Sequence, residues 1–163
     1  KMGREVRMVP SDWNHPKDEN TGQFKPLKEG YKNALDDFMG IVGEKGLQAA
    51  IEECGDAPDK EDYMPDWPSS QKNHYMMYEN TSEGTPLSPA FDNKEDLARW
   101  LADNGASAFG DDTATYKEWL AMIEDGYAPS MIIDRGAGKI MSGVAAAGMR
   151  TPNDKDNIDN PDF

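Results

Sequence analysis

The chain of 163 residues is poor in the features that usually announce an activity. It has one cysteine, Cys54. No internal disulfide and no zinc-spaced set of thiols is therefore possible, which favours a reducing compartment. No apolar run approaches the ~18 residues of a membrane span, and the opening KMGREVRMVP lacks the apolar centre of a signal peptide. Lys1 ahead of Met2 reads as an added residue, with Met2-Gly3 the natural start. Basic residues are scarce as well, 17 against 31 acids, for a formal charge of -14. No stretch gathers more than two of them, so direct nucleic-acid binding, which needs a clustered basic face to release counterions, is not expected.

Core material is present. Four Trp, six Tyr, five Phe and ten Met supply large side chains, and the length suits one domain over 1–150, followed by an acidic C-terminal tail, 151–163, with four Asp and one Lys. The plain reading of the charge is solubility. The sharper reading is an acidic face that occupies a basic surface on another protein.

Local patterns divide the domain into elements. Arg4 to Val9 alternates polar and apolar, the period of a half-buried strand, and Pro10 ends it. Ser11 to Leu27 is irregular, with Trp13, Phe24 and Leu27 as anchors. Tyr31, Leu35, Phe38 and Met39, then Leu47, Ala50, Ile51 and Cys54, predict two helices or one broken helix, stopped by Gly55. Asp56 to Asn73 should cross the surface with Tyr63, Met64 and Trp67 tucked inward. His74 to Glu79 reads as a strand, and Thr85 to Phe91, interrupted by Pro86 and Pro89, as a brief edge strand.

Two helix starts carry capping patterns, Asp92 with Glu95 and Thr115 with Glu118; Asn104-Gly105 and Gly126 are the stops. Leu97, Trp100 and Leu101 form one apolar face, and Trp119, Leu120 and Ile123 another. Ser130 to Asp134 and Lys139 to Ser142 flank Arg135-Gly136-Ala137-Gly138 as a hairpin. The order of elements predicts the α+β class: a small mixed or antiparallel sheet of about four to five strands covered by about four helices.

The residues that could carry chemistry each have a plainer reading. His15 and His74 titrate near neutrality, yet His15 precedes a proline and His74 opens a strand. His15 with Asp12, Asp18 and Glu19 has metal-ligand types but no known metal spacing. Asp111-Asp112 and Asp154-Asp156 are solvated charge runs. Gly136-Ala137-Gly138-Lys139 lacks the spacing and the following helix of a phosphate loop, and Gly143 to Gly148 reads as a close-packed or flexible segment. Cys54 falls on the apolar side of a helix, where a buried thiol is inert. No cofactor, metal or catalytic set is expected.

There remains the turn Thr81-Ser82-Glu83-Gly84-Thr85. It is first a bend, since Gly84 accepts a positive backbone angle and Thr-Pro fixes the exit. Second, Thr81, Ser82, Glu83 and Thr85 could face a partner. Asp56, Asp59, Glu61, Asp62 and Trp67 complete the candidate binding residues.

The blocks REVRMVPSDWNHPKDENTGQFKPL, HYMMYENTSEGTPLSPAF, EDLARWLADNGASAFGDDTATYKEWLAMI and GYAPSMIID together resemble a family of small phage and prophage proteins. The likeness spans nearly the whole chain and is least from Asp36 to Asp59. It implies a phage-borne accessory protein acting in the bacterial cytoplasm and brings no catalytic residues with it. The expected function is binding of a host protein with a basic surface, for instance inhibition of a defence nuclease or another basic-surfaced enzyme. The alternatives are a virion structural or assembly protein, multimerised through Trp67 and the final hairpin, and a small hydrolase or transferase using His15 or His74 with carboxylates.

Overall fold

The computed structural model describes residues 3–136 and 138–150. Met2, read above as the start, Ala137 between the hairpin strands and residues 151–163, read above as an acidic tail, lie outside the described residues. The class is α+β: a four-stranded antiparallel sheet, a separate two-stranded sheet and, among the described residues, five helices. The chain divides into two compact units, one of residues 3–15, 67–81 and 86–150, the other of 16–66 with 82–85.

In the larger unit β1 (Gly3–Val9) pairs antiparallel with β2 (His74–Glu79), Arg4 opposite Glu79 and Val9 opposite His74. The sheet order is β3-β2-β1-β4. Proline limits β3 (Thr85–Pro86) to two residues at an edge, as its missing donor requires. The other edge, β4 (Tyr127–Pro129), pairs with the start of β1. It falls where the sequence pattern placed only the approach to the hairpin.

β1 is buried more deeply than the half-buried strand expected from alternation, since Arg4 and Arg7 are only 6% and 4% exposed. Arg4 is held by Ser107, whose carbonyl accepts from Nε at 2.9 Å. Burial pushes its guanidinium below the ordinary value, with the charge of Glu79 acting against that shift.

Three helices bury their apolar stripes in this unit. Helix α3 (Lys94–Asp103) contributes Leu97 and Leu101, and α4 (Tyr116–Asp125) contributes Trp119, Met122 and Ile123. The start of α4 is a complete capping box: Thr115 Oγ1 accepts from the Glu118 amide at 3.2 Å, and Glu118 Oε1 accepts from the Thr115 amide at 3.0 Å. Gly126 ends it in the left-handed region, φ 81°, and its carbonyl accepts from Val6 of β1 at 2.9 Å. For α3 the cap is Asn93, not Asp92; its side chain accepts from the Asp96 amide at 2.7 Å.

The segment Gly143–Gly148, read as close-packed or flexible, is a helix, α5. It is close-packed, as expected from its small residues: a Cβ at Gly143 would collide with the carbonyl of Pro129, and one at Gly148 would come within 2.6 Å of Glu118 Cγ. The two-stranded sheet is the expected hairpin, β5 (Ile132–Asp134) with β6 (Lys139–Met141).

The smaller unit holds α1 (Tyr31–Lys45) and α2 (Leu47–Cys54), the broken pair, divided at Gly46 and stopped at Gly55. Its buried residues include Leu27, Phe38 and Ala50. Several expected anchors are exposed instead: Phe24 is 41% exposed, with the Lys17 ammonium 5.0 Å from its ring, and Met39 and Leu47 are 53% and 57% exposed. Cys54 is exposed too, which corrects the buried thiol. So small a unit has too little interior to cover every apolar side chain of two helices.

Candidate functional site

The smaller unit brings together most of the acids singled out in the sequence. Gly55 ends α2, and the chain then passes without regular structure through Asp56-Ala57-Pro58 to a single 3-10 turn, Lys60–Asp62. Asp59 caps that turn by accepting from the Glu61 amide at 3.0 Å, the use of a short acid at a helix start. The following residues are strapped to Lys28: its amide donates to the Asp62 carbonyl at 2.9 Å, and its carbonyl accepts from Met64 at 2.8 Å. Tyr63 is thereby fixed beside Tyr31, ring centroids 5.5 Å apart.

Between this strap and the helices lies an open cavity of about 560 Å³. Phe38, Ala34 and Tyr63 form apolar wall, while Asp56, Asp59 and Asp62 bring three carboxylates, with Lys28 and Cys54 also lining it. Asp62 shares its charge with Lys25, at 3.9 Å, and Lys25 also donates to the Glu61 carbonyl at 3.0 Å. The segment from Asp56 to Asp62 still carries four acids and one lysine. Such a concave surface, lined by both rings and carboxylates, can receive a cationic side chain, whose charge the carboxylates meet and whose carbon stem the rings cover.

The turn at 82–85 belongs to the same unit and is strapped like the rest. Leu27 donates to the Gly84 carbonyl at 3.0 Å, Ser82 Oγ and Thr85 Oγ1 share a hydrogen bond of 2.8 Å, and Glu83 lies 3.6 Å from the Lys28 ammonium. Glu83 has φ 70°, a left-handed backbone unusual for a side chain of its size. Thr81 and Trp67 belong to the larger unit. Thr81 is exposed, its amide donating to Glu79 at 2.8 Å, and Trp67 is half-buried, edge-on to Trp13 with centroids 4.8 Å apart. The structure thus gathers Asp56, Asp59 and Asp62 at one cavity, links Glu83 to it through Lys28, and sets Glu61 beside it on the surface.

The histidines have structural surroundings. His15 is 3% exposed, its Nδ1 2.9 Å from the Tyr78 hydroxyl, which also accepts from Trp13 Nε1 at 3.1 Å. The Arg7 guanidinium lies over the Tyr78 ring at 4.4 Å. This aromatic and cationic cluster pins the irregular segment after Pro10 onto β1 and β2, and the sequence showed only its Trp13 anchor. His74 is half-buried with Nδ1 2.7 Å from Asn73 Oδ1.

Asp12, Asp18 and Glu19 are exposed, and Asp18 accepts from the amides of Asn20 and Thr21. Those bonds hold its carboxyl below the ordinary value. Among the described residues no three His, Cys, Asp or Glu side chains are placed to hold a metal ion, and no helix is long and apolar enough to cross a membrane.

Lys28, Phe38 and Tyr63 are among the cavity residues that the sequence did not single out as functional. They come from three separated segments, and the strap at Lys28 joins the first to the last. No family model, no curated protein and no solved structure matches the chain.

Proposed function

We propose that this chain is a phage- or prophage-borne accessory protein that acts in a bacterial host by docking on a basic protein surface, without catalysing a reaction. A defence nuclease or another basic-surfaced enzyme, blocked where it holds its own anionic substrate, is the partner class that fits. The reading rests on the carboxylates of Asp56, Asp59 and Asp62 grouped at one open cavity in a chain of charge -14. Opposed charge steers encounter and excludes acidic competitors, and screening over about 8 Å at physiological ionic strength makes such binding salt-sensitive.

The test pairs the full chain with an Asp56→Asn/Asp59→Asn/Asp62→Asn variant. Both are immobilised and challenged with bacterial lysate, and then with the purified candidate enzyme, at low and at physiological salt. The expected result is capture of a basic protein that weakens with salt and with the substitutions, and inhibition that follows the same order. Recovery of no basic protein at low salt, or equal capture by the neutralised variant, overturns the reading.

A second reading, a virion or assembly component, is favoured by one observation. Ile133 and Ile140 stand 58% and 67% exposed on the final hairpin, as an element that multimerises would. Detection of the chain by mass spectrometry in purified particles decides for it.

A further inference from the structure

The acidic cavity continues along a helix. On α2 the residues Leu47, Ile51 and Cys54 stand four and then three positions apart, the spacing that stacks side chains on successive turns of one face. All three are exposed, Leu47 by 57% and Ile51 by 37%, whereas Ala50 is the buried residue of this helix. An amphipathic helix normally buries its largest apolar side chains; α2 instead shows solvent an apolar stripe about 10 Å long. Cys54, the last residue of the stripe, also lines the cavity with Phe38, Tyr63, Asp56, Asp59 and Asp62. Stripe and cavity thus share a residue and form one surface.

Shape and charge together select what covers it. From Glu44 to Asp62 the chain holds seven acids and two lysines, and one of those lysines, Lys45, is met by Glu53 at 2.7 Å. Lys28, the cation at the cavity, lies 3.6 Å from Glu83. The C-terminal end of α2, where unpaired carbonyls add partial negative charge, falls at Cys54 beside the cavity. The surface is therefore apolar along α2 and anionic at its end. Its complement is an apolar seam of the same spacing followed by cations, and a helix supplies one, since its own apolar positions recur at i, i+4 and i+7. A second copy would set the same seven acids against each other. We propose that α2 and the acidic cavity together dock a basic amphipathic helix of the partner, its apolar seam lying on Leu47, Ile51 and Cys54 and a lysine or arginine just beyond that seam entering among Asp56, Asp59 and Asp62. This rests on the reading of the cavity as the place where a basic partner docks, and adds the form that the partner presents.

Cys54 is the single thiol of the chain, so its alkylation by iodoacetamide reads occupancy of the stripe directly. The probe is a synthetic amphipathic peptide of leucine and lysine, about five helical turns long so that it holds a helix; a peptide of the same composition in scrambled order is the control. Near saturation the amphipathic peptide should slow alkylation of the full chain by about tenfold, and the scrambled peptide should not. Leu47→Gln/Ile51→Gln, which keeps charge and helix propensity, should weaken binding by about tenfold or more. Ile140→Gln, which alters an exposed isoleucine of the larger unit, should leave it unchanged. Asp56→Asn/Asp59→Asn/Asp62→Asn should weaken it and flatten its salt dependence. Alkylation that the peptide does not slow, equal slowing by the scrambled peptide, or unchanged binding in the glutamine variant overturns the proposal. So does alkylation that slows with protein concentration alone, which would put a second copy on the stripe. Each of these results leaves capture of a basic protein through Asp56, Asp59 and Asp62 standing. Peptide binding undiminished by the asparagine variant overturns the proposal by way of the cavity reading on which it rests.

Discussion

The Lys28 ammonium lies 3.6 Å from the Glu83 carboxylate while Glu83 holds a backbone φ of 70°. The two facts oppose each other energetically. The pair is exposed on both sides and contributes at most about 1 kcal/mol, whereas the left-handed backbone costs a non-glycine residue about 1–2 kcal/mol. Glu83→Gly relieves the strain but loses the pair and gains unfolded-state entropy, so it should stay within about 0.5 kcal/mol of the wild type. Glu83→Ala should not. Urea midpoints of the two variants separate strain from charge.

Capping gives a second comparison. Thr115→Ala and Asn93→Ala should each destabilise by about 1 kcal/mol, because each leaves a helix-start amide without its acceptor. Asp92→Ala should stay within about 0.5 kcal/mol, the usual range for a surface substitution. Equal losses at Asp92 and Asn93 in chemical denaturation would overturn the assignment of Asn93 as the cap.

Trp119 is wholly buried, and its indole Nε1 finds no acceptor among the described residues. An unmet buried donor costs about 1–3 kcal/mol. Trp119→Phe removes that donor and should cost about 1 kcal/mol or less despite its smaller volume. Trp119→Ala, which also opens a cavity among Leu97, Leu101 and Val144, should cost about 3–5 kcal/mol. A phenylalanine variant as unstable as the alanine variant would mean that the indole nitrogen is satisfied.

Tyr127 sets a pH dependence. Burial, and then the charge of Glu5, raise its phenol above the ordinary tyrosine value. A raised folded value means that the associated stability is complete below about pH 10, the unfolded value, and is lost as pH climbs through the folded one. Tyr127→Phe should therefore lose less stability than the wild type across the alkaline range, measured by thermal unfolding at successive pH values. Parallel curves would count against it.

Legibility from sequence followed locality. The cap and stop of α4, the end of β1, both ends of β2 and the stop at Gly55 were readable because a few adjacent residues determine each. The step from Asp92 to Asn93 was not, since both are good caps and only the backbone angles of Asn93 decide. The burial of Arg4 and Arg7 depends on partners far along the chain, Ser107 for Arg4 and the Tyr78 ring for Arg7, which alternation does not encode. Phe24, Met39 and Cys54 read as apolar anchors, but the unit that holds them has too small an interior to take them in. The acids of the candidate site stood out by type, whereas the cavity that groups them depends on Lys28 meeting Asp62 across more than thirty residues of chain.

The hydrogen bond from Val6 to the Gly126 carbonyl joins the last turn of α4 to the middle strand of the sheet. Loosening that helix end therefore removes an acceptor from β1, and fraying β1 uncaps the helix. Deuterium should enter the Val6 amide only with the opening of both elements, at the rate of the slowest-exchanging core amides, so the larger unit ought to melt as one cooperative body rather than shed its helices first.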